Sequence, residues 1–93
     1  MIRSFADKQT MRVYHGERPK GFPHELADRT EKILERINAA RALEDLRVPP
    51  SHRLHALHGD QLVRWSISVN RQFRITFRFE TGDAFDVRFE DYH

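Results

Sequence analysis

The sequence contains no cysteine, and this absence excludes disulfide bonds, thiolate metal sites and a cysteine nucleophile. It has no apolar run that approaches the roughly 20 residues needed to cross a bilayer. The first residues lack the cationic segment and apolar run of a secretory signal. We therefore expect a soluble, cytoplasmic protein whose stability comes from core packing alone.

Neither sign of charge dominates the sequence. The chain has 16 Lys and Arg against 14 Asp and Glu, a net charge of +2 over 93 residues. Arginine heavily outnumbers lysine, and its planar guanidinium suits bidentate contact with phosphate. Composition alone nevertheless favours an ordinary mixed-charge surface over RNA binding. A chain of this length supports one core, so residues 1–93 are expected to form a single domain.

Helical patterns occupy the first half of the chain. A short strand is expected at residues 1–5 and a helical turn within residues 7–14. Apolar residues then recur at helical spacing, which predicts an amphipathic helix over residues 23–40. A second, shorter helix is expected near residues 42–46, because Pro49 and Pro50 cannot continue a helix.

Alternating apolar and polar residues in the second half predict four strands, at residues 52–57, 62–69, 73–79 and 85–89. A tight turn at residues 81–83 should join the last two. Helices followed by strands with short hairpin connections indicate an α+β fold. In it, the short N-terminal strand and two helices pack on one face of a mainly antiparallel, strongly curved sheet.

The two faces of this sheet differ in character. The core face is predicted to carry Phe73, Ile75, Phe77, Phe79, Phe85, Val87 and Phe89. The opposite face presents Arg74, Arg78 and Arg88 beside the C-terminal residues 91–93. A metal-free ribonuclease needs such cations and titratable groups, because it moves protons and stabilises extra charge on phosphorus. An exposed strand face that merely keeps the sheet soluble is the alternative, and the pattern alone favours it.

Three histidines stand three residues apart, at His52, His55 and His58. Imidazole is a common metal ligand, but residues three apart in a strand point to opposite faces. The sequence therefore predicts no metal site here, and each histidine alone is expected to lie on the surface.

Short sequence pieces from Leu46 onward match a known toxin family in their order and spacing. They are Leu-Arg-x-Pro-Pro, Arg-Leu-His-Ala-Leu with Gly-Asp, Trp-Ser-Ile, Asn-x-Gln-Phe-Arg-Ile and the ending Glu-Asp-Tyr-His. With them the chain resembles the HigB family of the RelE-like toxin superfamily. The resemblance implies a RelE-like microbial ribonuclease fold and a toxin that cuts messenger RNA in the ribosomal A site. It also implies inhibition by a helix-turn-helix antitoxin, HigA, and no cofactor.

The resemblance also suggests roles for individual residues. His55 matches a histidine that lines the family's active site, and Arg74 an arginine that would hold the scissile phosphate. Asp91, Tyr92 and His93 match its C-terminal catalytic cluster. Arg74 is therefore expected to stabilise transition-state charge, while the acid and base remain unassigned among the other four. A weakly active or inactive binding module that only forms a regulatory complex is the alternative.

Two positions depart from the family pattern by losing a cation. His58 stands where relatives often have lysine, and Ser68 where many have arginine. The loss should reduce phosphate attraction, which Arg64 or Arg71 could restore from nearby. The residues expected to contact RNA are His58, Arg64, Arg71 and Arg78.

Overall fold

The computed structural model describes residues 1–59 and 63–92 of the chain. It contains two α-helices, α1 (Lys8–Tyr14) and α2 (Ala27–Ala39). Four strands follow: β1 (His55–His58), β2 (Val63–Ser68), β3 (Phe73–Glu80) and β4 (Asp83–Asp91). The strands form an antiparallel sheet in the order β1-β2-β3-β4. This arrangement confirms the predicted α+β fold.

The helices pack on one face of the sheet, where apolar side chains from both layers form the core. Alternation along β2, β3 and β4 and the 3.6-residue period of α2 direct these side chains to the same layer. Burying each large apolar side chain contributes about 1.5–3 kcal/mol to stability. The innermost members are Val13, Leu34, Ile37, Leu46, Ile67, Ile75, Phe77 and Val87, all at most 1% exposed.

The helix predicted over residues 23–40 is confirmed except at its ends. Residues 24–26 form a 3-10 helix, and the α-helix begins only at Ala27. Such tighter turns are frequent at helix N-termini. The second predicted helix is also a 3-10 helix, Leu43–Arg47.

The N-terminal segment lies along the outer edge of β4. Ile2 and Phe5 form isolated parallel bridges to Ala84 and Val87, rather than the continuous strand predicted. The ladder is interrupted because β4 bulges between these bridges, where Asp86 has a positive φ of 52°. The segment still covers the β4 edge, with backbone N–H groups of Arg3 and Ala6 donating to β4 carbonyls at 2.8 and 2.9 Å.

Two strand predictions are wrong in part. The first strand was expected from His52, but residues 50–52 form a 3-10 helix and Arg53 is left-handed with φ 48°. His52 is consequently buried at 4% exposure, and its Nδ1 lies 3.0 Å from the Leu46 carbonyl oxygen. Phe85 was expected in the core, but the bulge turns it to the polar face opposite Arg78. The start of the second predicted strand, Leu62, lies outside the described residues.

Candidate active site on the polar face of the sheet

Cross-strand pairing assembles the polar face, the sheet surface opposite the helices. Residues directly opposite each other in antiparallel strands point to the same side of the sheet. The register therefore aligns Ser68, Arg74 and Glu90 in one row across β2, β3 and β4. The neighbouring row contains His55, Ser66, Thr76 and Arg88.

Arg74 is the cation at the centre of the first row. Its guanidinium carbon lies 5.1 Å from the centroid of the Tyr92 ring, a cation–π contact. Its Nη2 donates to Glu90 Oε1 at 3.4 Å, near the outer limit for a hydrogen bond. The buried Nε has no hydrogen-bond partner among the described residues. Arg74 is thus held in place by Tyr92 and Glu90.

Glu90 connects Arg74 to the second row. Its carboxylate accepts from Thr76 Oγ1 at 2.6 Å and from Arg88 Nε at 3.0 Å. Burial alone would raise the pKa of Glu90, but these hydrogen bonds and the charges of Arg88 and Arg74 together lower it. The carboxylate is therefore ionised at neutral pH, where it orients Arg74 and has no proton to donate.

Arg64 supports the face from β2. Its Nη2 donates to Thr76 Oγ1 at 3.0 Å and to the Asp86 carbonyl oxygen at 2.8 Å. Burial and the like charge of Arg88 lower the pKa of Arg64, and the charges of Glu90 and Asp86 oppose that shift. Because a guanidinium stays protonated in proteins, Arg64 still adds positive charge beside Thr76.

Arg78 lies four residues after Arg74 on β3, which is about 13 Å along the strand at about 3.3 Å per residue. Its Nε donates to Asp86 at 3.1 Å and its Nη1 to Glu80 at 2.6 Å. Its guanidinium also covers the Phe85 ring, with 5.2 Å from the guanidinium carbon to the ring centroid. Two carboxylates therefore offset the charge of Arg78, in contrast to Arg74.

His55 and His58 are both exposed on β1, but only His55 lies in a row described above. His55 Nδ1 is 2.9 Å from the Arg53 carbonyl oxygen. A carbonyl oxygen can only accept, so the neutral imidazole carries its proton on Nδ1 and presents Nε2 as a proton acceptor. His58 pairs with Val63 at the other end of β1.

The C-terminal cluster is brought to the Arg74 end of the sheet. The Tyr92 backbone N–H donates to the Gln72 carbonyl oxygen at 2.9 Å, which extends the pairing one residue beyond β4. Asp91 pairs with Phe73 and accepts from Gln72 Nε2 at 3.2 Å, so alternation places it on the strand side opposite Glu90. Exposed Arg71 lies in the adjoining β2–β3 turn. His93 lies outside the described residues.

Glu90 and Thr76 are site residues that the sequence prediction missed as such. Alternation along β3 and β4 places both on the polar face, but their roles depend on which residues they oppose across the sheet. The usable signal was the predicted turn between β3 and β4. Pairing residues outward from Thr81 and Gly82 along the two strands brings residues 74 and 90 close together. The bulge in β4 makes that count wrong by one residue.

Comparison with known protein families gives a match over nearly the whole chain. Residues 3–93 match the model of the HigB-like toxin, described as the RelE-like toxin of the type II toxin–antitoxin system HigB. The chain belongs to the HigB-like toxin family. Its two helices on a four-stranded antiparallel sheet agree with the RelE-like fold.

Individual relatives support the same membership. The chain is 37% identical over 93 residues to Endoribonuclease HigB of Proteus vulgaris, covering 100% of both proteins. It is 33% identical over 88 residues to Toxin HigB-1 of Vibrio cholerae, covering 94% of this chain and 93% of that toxin. An uncharacterized protein of Haemophilus influenzae is 30% identical over 81 residues, covering 86% of this chain and 80% of that protein.

Four of the five predicted catalytic residues of this HigB-like toxin lie among the described residues. Arg74 and Tyr92 are in contact, and His55 lies on the same face in the neighbouring row. Asp91 lies beside this contact on the other side of its strand. No group of three His, Asp or Glu side chains suited to a metal occurs within residues 1–59 and 63–92. Over the same residues, no helix combines the length and apolar character of a membrane span.

Proposed function

We propose that this member of the HigB-like toxin family is an endoribonuclease that cuts messenger RNA without a metal ion. In the reaction, the ribose 2′-oxygen forms a bond to phosphorus while the bond from phosphorus to the 5′-oxygen breaks. A base takes the proton of the 2′-hydroxyl, and an acid gives a proton to the leaving 5′-oxygen. The phosphorane between these steps carries extra negative charge that must be stabilised.

The contact of Arg74 with Tyr92, beside ionised Glu90, is the observation that carries this proposal. It joins a cation to a side chain that can move a proton. Arg74 is suited to bind the scissile phosphate and stabilise the phosphorane, because a guanidinium matches phosphate geometry. Glu90 acts as a positioning residue, since it binds Arg74 and stays ionised.

The acid and base are drawn from the other predicted catalytic residues. His55 presents Nε2 as an acceptor on the polar face, and Tyr92 presents a hydroxyl beside Arg74. Asp91 and His93 complete the set of candidates by the family resemblance. His58, Arg64, Arg71 and Arg78 are proposed RNA contacts, with Arg78 contributing less because Asp86 and Glu80 already offset its charge.

The family resemblance supports two further parts of the proposal. The substrate is messenger RNA in the ribosomal A site, so the protein acts in the cytoplasm. A HigA-like helix-turn-helix antitoxin neutralises it, and contact with operator DNA occurs only through that antitoxin. Endoribonuclease HigB and Toxin HigB-1, the relatives compared above, have names that agree with a ribonuclease toxin.

Cleavage assays with purified protein test the activity directly. The protein, stripped of metal on a chelating resin, is added to free messenger RNA and to ribosomes programmed with the same message. We expect cuts only in ribosome-bound message, with 2′,3′-cyclic phosphate or 3′-phosphate on one fragment and a 5′-hydroxyl on the other. Absence of cleavage from both samples would identify a binding module, and cleavage restored only by added metal would refute the metal-free mechanism.

Co-expression with the neighbouring genes tests the antitoxin. We expect a small helix-turn-helix protein to co-purify with this chain and the complex to bind the operon's promoter. The measurement is affinity purification followed by mass spectrometry and a promoter-binding assay. Recovery of the toxin alone under gentle conditions, with the neighbouring gene expressed, would contradict this prediction.

A further inference from the structure

Two adjoining clefts run from the candidate active site to α2. The first, of about 530 Å³, is lined by Arg53, Arg71 and Tyr92 among others. The second, of about 520 Å³, lies between α2 and the segment after Pro49. Both are lined by Ser51, Ser68 and Val69, so the two clefts form one continuous groove. We call it the basic groove, after the cations that line it: Arg29, Lys32, Arg36, Arg53 and Arg71.

The basic groove begins at the catalytic contact. Tyr92 lines its first part, and the Tyr92 ring lies under the Arg74 guanidinium. Ser68, which lines both parts, is the register partner of Arg74. Arg74 itself lines neither cleft, so the groove adjoins the catalytic contact through Tyr92 and Ser68.

Positive charge accumulates along the groove without a matching negative charge. Among the described residues that line either cleft, five are Arg or Lys and none is Asp or Glu. Two acidic residues of α2, Asp28 and Glu31, accept hydrogen bonds from Arg18 at 2.7 and 2.8 Å. Arg18 thus binds two of the three carboxylates of α2, and the third, Glu35, lines neither cleft.

The cations are carried by a fixed scaffold. Arg29, Lys32 and Arg36 recur at spacings of three and four, so they share one face of α2. Arg29 Nη1 donates to the Val69 carbonyl oxygen at 2.8 Å and ties α2 to the end of β2. Buried His52 fixes the opposite wall through the Leu46 carbonyl oxygen. Exposed Lys32 and Arg36 then project their charges beside a pre-formed cleft.

We propose that the basic groove binds the sugar–phosphate backbone of the RNA strand next to the phosphate that is cut. This inference rests on the ribonuclease function proposed above. An RNA strand has a phosphate at every nucleotide, which matches a row of cations that continues from Arg74. Tyr92 at the junction offers a ring on which a base can stack. An acidic protein segment would use the same charges, but the continuity with the catalytic contact favours the substrate strand.

Removal of the two exposed cations of α2 tests the groove. The double variant Lys32→Gln with Arg36→Gln is titrated with a short fluorescent single-stranded RNA at several salt concentrations. Each lost phosphate contact lowers the slope of log affinity against log salt by about 0.7. We therefore expect the slope to fall by about 1.4 in the double variant. On programmed ribosomes, we expect a higher protein concentration for half-maximal cleavage and little change in the maximal rate.

The helix α1 offers a matched control. Lys8→Gln with Arg12→Gln also removes a lysine and an arginine four residues apart, the latter in the last turn of its helix as Arg36 is. Neither residue lines the groove. We expect this variant to keep the parental slope. The variant Lys32→Arg with Arg36→Lys should also keep it, because both charges are retained. Thermal unfolding checks that each variant is folded.

The outcomes separate this inference from the proposed function. Parental cleavage together with equal slopes in the two double variants would overturn the groove and leave the ribonuclease intact. A reduced slope without cleavage by the parent would support the groove and overturn the ribonuclease. If only antitoxin binding weakens in Lys32→Gln with Arg36→Gln, the groove holds an acidic protein segment, and its assignment to RNA is wrong.

Discussion

Replacing Arg74 with alanine is expected to slow RNA cleavage by about 10²–10³-fold, the usual cost of removing one charge-stabilising donor. The guanidinium contacts the Tyr92 ring and retains an unpaired Nε among the described residues. The contact with Tyr92 positions the guanidinium for the negative charge that develops on the phosphorane. The measurement is the single-turnover rate of cleavage on programmed ribosomes.

The fold should survive this change. Glu90 would lose the 3.4 Å bond from Arg74 but keep those from Thr76 and Arg88. We expect the free energy of unfolding to fall by about 1–3 kcal/mol. Arg74→Lys should give an intermediate rate, because lysine keeps the charge but not the planar donor pair.

Arg78→Ala is the matched control, since Arg78 also lies on β3, binds carboxylates and covers an aromatic ring. Its charge is already offset by Asp86 and Glu80, so we expect only a few-fold loss of cleavage. Equal losses in Arg74→Ala and Arg78→Ala would show that the face contributes general attraction for RNA and that Arg74 has no special role.

Tyr92→Phe is expected to slow cleavage by roughly 10²–10⁴-fold, the range for loss of a positioned acid or base. Phenylalanine keeps the ring under Arg74 and removes only the hydroxyl. The change therefore separates proton transfer from support of the guanidinium. Tyr92→Ala should be slower still, because it also removes the cation–π contact. Rates are compared across pH, where loss of the acid or base should abolish one limb of the profile.

Tyr14→Phe provides the control, as Tyr14 is the other of the two tyrosines and ends α1. It should leave cleavage unchanged. If Tyr92→Phe also cleaves at the parental rate, the Tyr92 ring supports Arg74 and stacks on a nucleobase but transfers no proton. The acid and base must then come from His55, Asp91 or His93, which single substitutions at those positions would distinguish.

The C-terminal residues are more firmly attached than their position in the sequence suggests. Residues beyond Phe89 could be expected to contribute little, because chain ends are often loosely held. Glu90 and Asp91 are instead paired in β4, and the Tyr92 N–H bonds to the Gln72 carbonyl. For this reason, single substitutions give a cleaner test of catalysis here than removal of residues 92 and 93.

Local patterns in the sequence determined the fold class, the helix that includes residues 27–39 and the three long strands. Each of these follows from the spacing of apolar residues, which reports on near neighbours along the chain. The turn at Thr81 and Gly82, with φ of 52° and 83°, was also readable from residue types. The pattern failed at His52, whose burial depends on the Leu46 carbonyl six residues earlier.

The contacts within the site were decided mainly by tertiary structure. The sequence and its family resemblance selected Arg74 and Tyr92, but the register of β3 against β4 places Glu90 against Arg74. Because the bulge at Asp86 adds one residue to β4, Phe85 before it lies on the polar face while Val87 and Phe89 after it lie on the core face. In the basic groove, the hydrogen bond from Arg29 to the Val69 carbonyl oxygen joins α2 to the end of β2, although the two residues are forty positions apart. Spacing along the chain carries no information about such distant pairs, because packing between elements sets their contacts.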